Sequence, residues 1–100
     1  MAVGKLTEIR EQLAGWELAD VERGVVLEVA IPAIERAIAA LSLDPGIVRD
    51  WLRLSEDLER GSAVLRAARK ALGYASNLAA VAGAIEFITE AESIIHRIIA

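Results

Sequence analysis

His96 is the only histidine in a chain of 100 residues that has no cysteine, so any imidazole chemistry must run through one side chain. Glu92 lies one helical turn before it, with Ser93 beside Glu92. A carboxylate four residues away can orient an imidazole, and an oriented imidazole is a general base or an axial ligand to haem. Neither arrangement is completed. Ser93 and His96 lack the strand-to-helix turn of a nucleophile elbow, and no second histidine or cysteine is there to build a tetrahedral metal set. On a helical wheel His96 shares an edge with Thr89 and Glu92, next to the polar stripe, so the expectation is a partly exposed histidine paired with Glu92. The sequence predicts no catalytic residue, no metal ligand and no cofactor, and the chain reads as non-enzymatic.

A second group of residues could hold a ligand without reacting with it. The run "GYASNLAAVAGAIEF", residues 73 to 87, places Gly or Ala on almost every side of its first half. Glycine inside a helix costs about 1 kcal/mol relative to alanine, so Gly83 must be compensated by close helix packing or by space for a ligand. The packing alternative sets these small residues against Trp16 and Trp51. The ligand alternative is an apolar cleft lined by Trp51, Tyr74, Asn77, Gly83 and Phe87, where a few polar atoms orient an apolar small molecule. Gly24 and Gly61 raise the same question in the two preceding helices.

Four helices must position these residues. Leu6, Ile9, Leu13 and Trp16 form the stripe of an amphipathic helix over 3–14, with Gly15 as its stop. Leu27, Ile31, Ile34, Ile38 and Leu41 repeat along a second helix, 17–43, in which Pro32 predicts a kink or a split. The β-branched run "GVVLEVAI" gives a strand as the lesser reading there. A third helix spans 45–72, capped by Asp44 and Pro45, carrying Ile47, Trp51, Leu54, Leu58, Gly61, Leu65, Ala68 and Leu72 inward, with a bend possible at 60–62. Gly73 is expected to end it in a left-handed conformation. Ser76 is expected to cap the fourth helix, 77–99. The expected architecture is all-α: an antiparallel bundle of one short and three long helices, kinked near Pro32, forming a single domain over 1–100.

Residues 37–52, "AIAALSLDPGIVRDWL", resemble the helix-turn-helix pattern of DNA-binding proteins. Ala37, Leu41, Leu43, Val48 and Trp51 would be buried, and Ser42, Leu43 and Asp44 would form the turn. Such a resemblance implies a recognition helix in the major groove. The sequence departs from it at Ile38, where a small residue is usual. It departs again in charge, because Arg49 and Arg53 are opposed by Asp44, Asp50, Glu56 and Asp57, whereas phosphate contacts require net positive charge.

The formal charge of −4 favours solubility and argues against a nucleic-acid surface. Apolar residues make up 55% of the chain, above the roughly 45–50% of soluble domains. With only four aromatics, that surplus is aliphatic, which suits an apolar face covered by a ligand, by a second copy or by a partner helix. The longest uncharged stretch, Ala71 to Ile85, is shorter than the roughly 18–20 residues of a membrane span. With no export signal and no cysteine, the expected location is cytoplasmic. The clean punctuation also suits a de novo designed bundle, although three interior glycines and few lysines suit one less well.

Overall fold

The computed structural model describes residues 2–42 and 51–99, with side chains of the second stretch described from Leu54 onward. Within these residues the chain is all-helical. The elements are α1 (Ala2–Ala14), α2 (Asp20–Val25), a π-helical turn (Val26–Ala30), α3 (Ile31–Leu41), α4 (Trp51–Leu72) and α5 (Leu78–Ile99). The expected cap at Asp44 and Pro45, the start of the third predicted helix and most of the helix-turn-helix resemblance lie outside the described residues.

The apolar periodicity explains the packing. Leu6 and Leu13 of α1, Leu58, Leu65 and Leu72 of α4, and Val81, Ile88 and Ile95 of α5 are all sealed from solvent. Each set repeats every seven residues, which keeps one stripe of each helix facing its neighbours. Together with Val26, Ala30, Ile31 and Ile34 they make one core. α4 packs along α5, α3 against α4, and α1 across both α3 and α5. α4 and α5 run antiparallel: Arg69 and then Arg66, going back along α4, meet Glu92 and then His96, going forward along α5.

The run "GVVLEVAI" is helical, and no strand occurs among the described residues. Packing on a common core overrides its β-branched propensity. Residues 20–41 form one continuous helical segment, because Val25, Val26, Ala30 and Ile31 all keep right-handed helical dihedrals. Pro32 is accommodated within it rather than splitting it. The Ile31 N–H donates to the Val26 carbonyl, an i→i−5 bond that adds one residue to the turn just before the proline. Proline lacks an N–H and crowds the carbonyl four residues back; the wider turn relieves both demands. It also shifts the apolar phase. Ile31 and Ile34 are buried as expected, but Leu27 is 42% exposed, and Val26 and Ala30 occupy the core in its place.

Helix ends differ from expectation in detail. Gly73 is not left-handed, since none of the described residues has a positive φ. Its N–H is shared between the carbonyls of Arg69 and Lys70, both at 3.1 Å, and a Cβ there would lie 3.2 Å from the Lys70 oxygen. Asn77 rather than Ser76 caps α5, its Oδ1 accepting from the Ala80 N–H at 3.4 Å. The second predicted helix starts at Asp20 instead of residue 17, and α4 continues through Gly61 as one helix.

Candidate functional site

The residues expected to line a cleft are only partly brought together. Gly83 faces the ring of Trp16, and a Cβ at position 83 would overlap that indole. Trp16 is held there from two sides. Its Nε1–H donates to the Ala80 carbonyl at 3.2 Å, and its ring meets that of Phe87 edge to face, with centroids 5.8 Å apart. Ala80, Gly83 and Phe87 are spaced by three and four residues, so they share one face of α5 and form a seat for the indole. The volume expected to be open at Gly83 is therefore filled by a side chain of the same protein, as in the packing alternative. Tyr74 is 90% exposed. Asn77 lines a depression with Glu17, Leu18, Ala19 and Glu22, without Tyr74, Gly83 or Phe87. The side chain of Trp51 lies outside the described residues.

A cleft does open between α3 and α4. It has a volume of about 420 Å³, and its walls are Ala33, Ala37 and Ala40 of α3 facing Leu58, Gly61 and Val64 of α4. The small residues are the physical cause. Gly61 lets the helices approach until a Cβ there would lie 3.9 Å from the Ala33 carbonyl oxygen, while the alanine methyls beyond are too short to fill the space. Arg36, Asp57 and Arg60 stand at its exposed margin. The sequence signal for this cleft was the column Ala33, Ala37, Ala40 on the helix opposite Gly61.

The polar constellation lies on the other side of α4. Glu92 is only 7% exposed. Its Oε1 accepts from Arg66 Nε at 3.1 Å, and its Oε2 is 3.3 Å from Arg69 Nε. The second contact is an ion pair by distance, but the Arg69 Nε–H is not aimed well enough to hydrogen-bond. His96 is exposed, and its partner is Arg66, whose Nη2 lies 3.4 Å from His96 Nε2. The expected Glu92–His96 pair is thus replaced by a carboxylate that joins α5 to two arginines of α4. Glu92 shares its seven-residue register with Leu78, Ile85 and Ile99, but Leu78 is exposed, so the column alone does not mark Glu92 as buried. Nearby, Ser62 is 3% exposed and its Oγ makes no hydrogen bond.

Among the described residues no three or more histidine or acidic side chains converge as a metal site, and no helix is long and apolar enough to cross a membrane. No protein-family model, curated protein or solved structure matches the chain.

Proposed function

We propose that this chain is a non-enzymatic helical binding protein, taking an apolar small molecule into the cleft between α3 and α4. The observation that supports it is the lining of that cleft: apolar walls of Ala33, Ala37, Leu58, Gly61 and Val64 beneath a margin of Arg36, Asp57 and Arg60. Its volume of about 420 Å³ falls within the roughly 300–1,000 Å³ of small-molecule sites. This reading keeps the ligand class suggested by the sequence and moves the site away from Gly83.

Its test is a titration of the parent and of Ala40→Leu with anilinonaphthalene sulfonate. Ala40 is half-buried at the edge of the cleft, so a leucine can fill the space without entering the sealed core. The expected result is saturable probe binding by the parent, weakened about tenfold or more in the variant, with stability held or raised. A parent that does not bind the probe saturably, or a variant that binds it equally well, would rule the reading out.

A second reading, self-association or docking of a partner helix, is favoured by large apolar side chains left in solvent: Val21, Leu27, Val29, Tyr74 and Leu78. Sedimentation across a hundredfold range of concentration tests the self-association, since only a dimer changes mass.

A further inference from the structure

We propose that the seam between α4 and α5, around Arg69, His96 and Arg97, binds a small phosphate-type oxyanion. The seam carries a shallow depression of about 360 Å³ lined by Arg69, Thr89, Glu92, Ser93, His96 and Arg97. Two guanidiniums, an imidazole and the Ser93 hydroxyl supply donors to it. Thr89 does not, because its hydroxyl donates to the Ile85 carbonyl of its own helix at 2.8 Å.

The one carboxylate in that lining is already engaged. Glu92 faces the Nε atoms of Arg66 and Arg69, at 3.1 and 3.3 Å, so its negative charge is outweighed by two positive ones. The same contacts organise the site. Glu92 is buried, and its charge draws the Arg69 guanidinium to 3.3 Å without an aligned hydrogen bond, while 36% of that side chain stays exposed. A guanidinium oriented before the anion arrives loses less freedom on binding it. In a chain of formal charge −4, the lining of this depression carries two arginines, Arg69 and Arg97, against one carboxylate, Glu92. The donors come from two helices, which suits a tetrahedral anion with several acceptor oxygens better than a planar carboxylate.

The experiment titrates inorganic phosphate into the full chain at constant pH and ionic strength, with chloride as the balancing anion. The readout is the ring-proton resonances of His96, which are unambiguous because it is the only histidine. The expected result is a saturating shift. Arg97→Gln should weaken the apparent affinity roughly tenfold, the scale of one charge-assisted hydrogen bond. Arg97 is exposed, so its circular dichroism should match that of the parent. Arg69→Gln should weaken binding similarly. Glycerol 3-phosphate and vesicles of phosphatidic acid distinguish a soluble phosphate ester from a lipid headgroup, and the proposal expects the soluble ester to compete with inorganic phosphate. A linear shift, unchanged affinity in Arg97→Gln, or binding to vesicles without a response to the soluble ester would overturn it.

Discussion

The indole of Trp16 occupies the volume in front of Gly83, so the smallest residue of α5 and the largest side chain of the segment after α1 form one fitted contact. The glycine is there because a large ring must sit against the helix backbone. Gly83→Ala should therefore destabilise the protein by about 1–3 kcal/mol, despite the better helix propensity of alanine, because the ring must be displaced. In a Trp16→Ala background the sign should reverse, with the same substitution gaining up to about 1 kcal/mol. Urea denaturation of the four proteins in the cycle measures both effects. Equal effects of Gly83→Ala in the two backgrounds would mean the residues are not coupled.

Ser62 offers a stabilising change. Its hydroxyl is sealed from solvent without a hydrogen-bond partner, and an unsatisfied buried hydroxyl costs about 1–3 kcal/mol. Ser62→Ala removes that cost and improves helix propensity, so its thermal midpoint should rise. A lower midpoint would show that the hydroxyl finds a partner in solution.

Glu92 distinguishes charge from shape. Glu92→Gln keeps the size but leaves Arg66 and Arg69 without their counter-charge, and should cost about 1–2 kcal/mol. That is less than a fully buried pair would lose, because both arginines can turn toward water. Glu92→Leu completes the column of Leu78, Ile85 and Ile99, and should fall within about 1 kcal/mol of the parent. If leucine proves much worse than glutamine, the ion pair contributes more to the α4–α5 contact than apolar burial can replace.

Gly24 should tolerate a side chain. Nothing lies within 4 Å of the position a Cβ would take there, and its backbone is helical. Gly24→Ala is expected to gain about 0.5–1 kcal/mol in denaturation, from the lower entropy of the unfolded chain. A loss would place an obstacle where the structure has open space.

The contrast among Gly24, Gly61 and Gly83 shows how far the sequence could be read. The apolar columns of α1 and α4 marked Leu13 and Leu65 as core, since burial of one face is all that periodicity encodes. Periodicity carries no information about which neighbour meets a small residue. Three interior glycines that look alike in sequence face open space, a helix backbone and an indole ring. The sequence left cleft and packing open at Gly83 for that reason, as a gap and a tightly filled contact leave the same glycine behind. Glu92 escaped notice for the opposite reason. A charged residue in an apolar column reads as surface until two arginines on another helix are seen to meet it.

The turn from Val26 to Ala30 also ties chain length to one residue type. It holds one more residue than an α-helical turn would, and that surplus is what makes room for Pro32. Removing a residue from this turn would restore an ordinary helix, but it would press the proline ring onto the carbonyl below. Replacing Pro32 alone would leave a wide turn with nothing to require it. The deletion and the replacement suit each other only when made together, so a one-residue difference in length here should be accompanied by the loss of the proline.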